Sequence, residues 1–187
     1  MKGMYNMSKN ILITGAAASG KSRWTVSQFA PCDYVLYLRT GKAVDEDTLK
    51  RISFDNNKFG VEWEIMTDVY DNPCAKLGDH KIAIFDCLST YTSLRVSEMC
   101  PNPDELDGDK EREIERAVIS DVTAMLDHMK EVDGSIIIIT LETGLSVTPG
   151  NHAQAAYRSI LGRVNQRIAN MCDEVYFSAS GIQFRIK

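Results

Sequence analysis

The sequence predicts an α/β fold: a mostly parallel sheet, covered by helices on both faces and closed by a C-terminal hairpin. Three observations predict it. Short apolar strand-like segments alternate with helix-like segments along the chain, which is the signature of repeated strand–helix–strand crossovers. Ile82-Ala-Ile-Phe85 and Ile136-Ile-Ile-Ile139 are apolar without a break, as parallel strands buried on both faces must be. Finally, Ile11-Leu-Ile-Thr14 runs directly into a turn spanning Gly15 to Gly20, with helix-compatible residues from Arg23 to Phe29 behind it.

In chain order, the first strand is expected at Asn10–Thr14 and the first helix at 20–29. Tyr34–Arg39, with Val-Leu-Tyr-Leu at its centre, predicts the second strand, and a helix follows at about 45–56. Val61–Met66 and Lys81–Phe85 are the next strands, and 88–98 is the next helix. Cys100 to Asp109 is an acidic, turn-rich stretch between helices and the only plausible linker in the chain. The longest helix, about 110–132, is supported by Ile114, Val118, Val122, Met125 and Met129 recurring at helical spacing. Ser135–Thr140 is a strand, 153–171 a helix, and Glu174–Ala179 and Ile182–Ile186 flank Ser180-Gly181 as a hairpin.

With 187 residues, 44% hydrophobic and 25% charged, the chain can bury a sizeable core as one domain, 1–187, with residues 1–9 as a loose tail. Its net charge of −5 argues against a nucleic-acid surface, so any phosphate must be held by placed groups. The five cysteines are odd in number and lack C-x-x-C spacing, which reads as reduced thiols. Residues 1–9 lack the apolar core of a signal peptide, and no apolar run approaches membrane-spanning length. A cytoplasmic location is the expectation.

The turn itself carries chemistry. Gly15-Ala16-Ala17-Ala18-Ser19-Gly20-Lys21-Ser22 matches G-x-x-x-x-G-K-[ST], in which the backbone curls so that successive N–H groups face a phosphate. The following helix aims its positive end at the same anion. Lys21 then reaches the β- and γ-phosphates of ATP or GTP, and the Ser22 hydroxyl ligates Mg2+. Asp86 ends a buried strand, where such enzymes need a carboxylate for the magnesium or its water shell; a helix cap on the residues after it is the alternative role. Glu142, just past the next strand, lies where ligands of open α/β sheets gather. There it either orients a hydroxyl or takes its proton, or pairs with an arginine.

Further residues carry a family resemblance. Thr14 to Arg23, Val35-Leu-Tyr-Leu-Arg-Thr40, Asp45-Glu-Asp with Arg51-Ile52, and Asp86-Cys-Leu-Ser-Thr90 follow one another in the order of adenosylcobinamide kinase/adenosylcobinamide-phosphate guanylyltransferase. Leu141-Glu-Thr-Gly144, Pro149, Tyr157-Arg158, Gly162-Arg-Val-Asn-Gln166, Asp173-Glu-Val175 and Ser180-Gly181 resemble its closing segments, so the likeness spans nearly the whole chain. It implies a P-loop enzyme of cobalamin assembly that phosphorylates adenosylcobinamide and then transfers GMP from GTP to the phosphate. It also implies a nucleotide contact at Thr40 and a homo-oligomer, a trimer.

The family holds GMP on a histidine three residues past the Arg-Ile pair, which here is Asp55; the count onward to Trp63 agrees with the family's tryptophan. Imidazole forms a labile phosphoramidate, whereas a carboxylate brings another negative charge to the triphosphate and would form an easily hydrolysed mixed anhydride. His80, His128 and His152 fall outside the motif. Leu141, Thr92-Ser93-Leu94 and Thr67 or Asp68 are further departures, bearing on the guanine and corrinoid contacts. The expectation is a kinase with guanylyl transfer impaired or absent; a non-catalytic nucleotide-binding relative and a recombinase-like P-loop ATPase are the alternatives.

Overall fold

The computed structural model describes residues 8–145 and 149–187; residues 1–7, most of the expected tail, and 146–148 lie outside the described residues. Seven strands form one sheet: β1 (Asn10–Gly15), β2 (Val35–Arg39), β3 (Trp63–Met66), β4 (Ile82–Asp86), β5 (Ser135–Ile139), β6 (Glu174–Ala179) and β7 (Ile182–Arg185). Their order is β3-β2-β4-β5-β1-β6-β7. All pairings are parallel except β6 with β7, the expected hairpin.

The helices are α1 (Lys21–Phe29), α2 (Glu46–Phe59), α3 (Leu88–Met99), α4 (Gly108–Glu131) and α5 (His152–Met171). Because successive strand residues point to opposite faces, the central strands β1, β2, β4 and β5 feed two cores. Leu12, Leu36, Leu38, Phe85, Ile136 and Ile138 pack on one face with residues of α3, α4 and α5, including Leu88, Val118 and Val164. Ile11, Ile13, Val35, Tyr37, Ile84, Ile137 and Ile139 pack on the other with Val26 and Phe29 of α1 and Ile52 of α2.

Element ends differ from expectation where a single residue decides them. α2 runs past residue 56 to Phe59, because its stop is Gly60, which adopts φ 67° and closes its N–H on the Asn56 carbonyl. Tyr34 sits at φ 55°, outside β2, and its N–H bonds the Glu62 carbonyl, so strand pairing starts at Val35 opposite Trp63. Asp107 caps Asp109 and Lys110 and starts α4 at residue 108. Cys100 and Leu106 anchor the acidic stretch in the core.

Candidate active site

The phosphate-loop motif sits where β1 leaves the carboxyl edge of the sheet. Gly15 adopts φ 146°, and a Cβ there would lie 2.3 Å from the Ser178 carbonyl oxygen, so no larger residue fits. Ala16, Ala17 and Ala18 form the exposed crest, with Ala18 left-handed at φ 55°. Gly20, at φ 95°, is the N-cap of α1 and supplies no side-chain acceptor. The first amides of α1 are therefore left for an external anion. The loop leans on the terminal hairpin: Ser178 Oγ and the Gly181 N–H both donate to the Ser19 carbonyl, at 2.7 and 2.9 Å.

Lys21 is folded onto this loop. Its Nζ donates to the Gly15 and Ala16 carbonyls at 3.0 and 2.6 Å and lies 3.4 Å from Ser19 Oγ. Burial pulls its proton affinity below that of an ordinary lysine, and the neighbouring Cys87 and Asp86 oppose that shift. Ser22, beside it, is half-buried.

Asp86, the last residue of β4, is nearly buried. Its Oδ1 lies 2.9 Å from Arg39 Nη1, and its Oδ2 accepts a short hydrogen bond from the Tyr37 hydroxyl. Burial, reinforced by Asp86, pushes the Tyr37 phenol well above its usual value, so it stays a donor. Asp86 makes no capping bond: the N-cap of α3 is Cys87, without a side-chain cap. Thr40 is fully buried, and its hydroxyl accepts from the Cys87 N–H and donates to the Cys87 carbonyl, each at 3.0 Å. It braces the turn behind Asp86.

Glu142 joins the loop from β5. Its N–H bonds the Gly15 carbonyl at 3.1 Å, and its carboxylate receives a long, 3.5 Å contact from Thr14 Oγ1. Among the described residues it makes no ion pair. It opens instead on a cavity of about 660 Å³ shared with Thr14, Arg158, Arg163, Asn165 and Gln166. Asn165 holds this segment, accepting from Thr140 Oγ1 at 2.8 Å and donating to the Leu141 carbonyl at 2.9 Å; Arg158 donates to the Gly144 carbonyl at 2.7 Å.

Asp55 lies half-buried in a separate cleft of about 450 Å³ between α1 and α2, lined also by Gly20, Arg23, Arg51, Phe54 and Gln183. The three histidines are engaged elsewhere. His80, His128 and His152 bond the carbonyls of Leu77, Gly78 and Leu106 respectively. Trp63 is buried, its indole N–H bonded to the Cys32 carbonyl.

Lys21, Ser22, Asp86 and Glu142 thus share one sheet edge. Arg39, Tyr37, Ser178 and Asn165 are the site residues that motif spacing did not single out for any role. Their positions within strands and helices carry no local signal of whom they touch. As a metal locus, Ser22 and Asp86 offer hard oxygens of the kind magnesium takes. No group of three His, Cys, Asp or Glu among the described residues is arranged to hold a metal ion by itself, so an ion at Ser22 and Asp86 would draw its remaining ligands from phosphate and water.

The family profile for cobinamide kinase / cobinamide phosphate guanyltransferase matches residues 11–186. The bifunctional adenosylcobalamin biosynthesis protein CobU of Salmonella typhimurium is 28% identical, over 95% of this chain and 99% of its own. Its Escherichia coli counterpart is 26% identical over the same shares. The bifunctional adenosylcobalamin biosynthesis protein CobP of Pseudomonas aeruginosa is 27% identical, over 94% and 96%. The chain belongs to the cobinamide kinase / cobinamide phosphate guanyltransferase family. No helix among the described residues is long and apolar enough to cross a membrane.

Proposed function

We propose that this family member is a nucleoside-triphosphate-dependent kinase for the aminopropanol hydroxyl of adenosylcobinamide, and that guanylyl transfer was lost with the histidine that Asp55 replaces. The observation that carries the kinase reading is the meeting of the Gly15–Ser22 loop, Asp86 and Glu142 at one edge, with Glu142 bonded through its backbone to Gly15. The loop amides and α1 hold the β- and γ-phosphates. Lys21 leaves the Gly15 and Ala16 carbonyls for phosphate oxygens, whose charge restores the proton affinity that burial lowers. A magnesium ion held by Ser22 and, through water, by Asp86 would supply neutralising charge to the phosphates. Glu142 orients the acceptor hydroxyl. As that oxygen bonds the γ-phosphorus, the γ-phosphorus–bridging oxygen bond breaks and the hydroxyl proton passes to Glu142.

Loss of guanylyl transfer is supported by Asp55 lining the cleft beside Gly20, together with Arg23 and Arg51, while all three histidines bond backbone carbonyls elsewhere. Two labels separate the activities. With γ-labelled ATP or GTP and adenosylcobinamide, label is expected in the corrinoid; with α-labelled GTP, no acid-labile, base-stable protein adduct is expected. An adduct mapped to any histidine would overturn the second half. Arg39 on Asp86 favours a second reading, a nucleotide-binding relative without turnover, and tight nucleotide binding with no γ-transfer would establish it.

A further inference from the structure

We infer that the Arg39 guanidinium is a built-in competitor of the divalent cation at Asp86, a positioning residue that raises the magnesium concentration at which the nucleotide site fills. This rests on the kinase reading of the same edge.

Strand register puts Arg39 directly opposite Asp86, each the last residue of its strand. The pair is unequal in its access to water: the Arg39 side chain is 24% exposed and that of Asp86 only 4%. Arginine can therefore retreat into solvent, whereas the carboxylate cannot leave and must always have a cation or donors against it. Tyr37 takes the other oxygen, so in the absence of metal both carboxylate oxygens face protein donors. Arg39 Nε also donates to the neutral Ala43 carbonyl at 3.2 Å, in the loop after β2.

Lys21 adds a second positive charge within electrostatic reach of Asp86. A doubly charged ion approaching this edge meets one carboxylate already compensated by a guanidinium. It must displace Arg39 or tolerate its repulsion. Either way the ion binds more weakly than it would if Asp86 had only the Tyr37 hydroxyl against it. Nucleotide, by contrast, does not need Arg39 to leave, so the effect is specific to the metal-dependent part of binding.

The test titrates Mg2+ into protein with a non-hydrolysable GTP or ATP analogue, against an EDTA baseline, for the parent, Arg39→Gln and Arg39→Lys. Arg39→Gln is expected to lower the half-saturating Mg2+ concentration about tenfold, with EDTA-baseline affinity changed little; Arg39→Lys, which keeps the charge, is expected to stay within about threefold of the parent. An unchanged or higher magnesium requirement in Arg39→Gln would overturn the inference. Should that variant not fold, the Arg39 Nε–H resonance of the parent serves instead. It is expected to move when Mg2+ is added to the nucleotide complex, and a signal that does not respond would overturn the inference. A parent that binds no nucleotide in either medium would remove the kinase reading and this inference together.

Discussion

Two nearly buried carboxylates close opposite edges of the same sheet. Glu174 begins β6, and Asp86 ends β4. Glu174 is fully engaged: Lys9 Nζ at 2.6 Å, Arg185 Nη1 at 3.1 Å and the Tyr176 hydroxyl at 2.8 Å, with two cations for one charge. Asp86 has one arginine and one phenol, and the nearby Lys21 is bonded to loop carbonyls rather than to it. The same chemical group therefore does different work at the two edges. At the amino edge it fastens the N-terminal segment and the last strand to the sheet. At the carboxyl edge, with first-turn amides of α1 unclaimed, it is part of a charge arrangement that an anion and its cation can enter.

The severest test of this division removes the loop cation at the carboxyl edge. Lys21→Ala should cut phosphoryl transfer at least about a hundredfold, equivalent to roughly 3 kcal/mol of transition-state stabilisation, while thermal melting shifts little. Near-parental turnover in a folded variant would erase the distinction between the edges. Glu174→Gln should do the reverse: a loss of roughly 2 kcal/mol in denaturant unfolding, from weakened charge-assisted bonds, with nucleotide affinity intact. Altered affinity would show the two edges to be coupled.

Asp86→Asn, nearly isosteric, is expected to weaken nucleotide binding about tenfold in Mg2+ and hardly at all in EDTA, about 1.4 kcal/mol. Equal magnesium dependence in variant and parent would make Asp86 as purely structural as Glu174. The smallest effect is a pH dependence. Burial alone would raise the Glu174 pKa, but the bonds from Lys9 and Tyr176 and the charges of Lys9 and Arg185 hold it below the ordinary value of 4.5. Its contribution is thus complete above that ordinary value and fades as pH falls through the lower folded value. The stability gap between parent and Glu174→Gln should narrow on going from about pH 5 to about pH 3. A gap independent of pH would mean that packing, not charge, holds that corner.

Much of the candidate site was legible because its residues are contiguous or stand at strand ends. Gly15 to Ser22 announce themselves by spacing alone, and Asp86 and Glu142 follow from the rule that open α/β sheets gather ligands at their carboxyl edge. The segments Tyr157-Arg158 and Gly162–Gln166 were visible as a pattern but not as a purpose. The structure shows Arg158 and Asn165 bracing the loop that carries Glu142, and the Tyr157 hydroxyl bonded to the Ser89 carbonyl at 3.0 Å. Ser180-Gly181 likewise forms the turn whose Gly181 amide supports Ser19.

By itself the sequence determined the alternation of strands and helices, the doubly covered sheet and the glycine-lysine motif at the end of the first strand, since each is written in residue type and short-range period. The strand order, the bonding of Arg39 and Tyr37 to Asp86, the hairpin seated beneath Ser19, and the commitment of His80, His128 and His152 to carbonyls were decided only by tertiary structure. A period along the chain says which face a residue presents. It does not say which distant strand lies opposite, and that choice is made by the packing of whole elements into two cores.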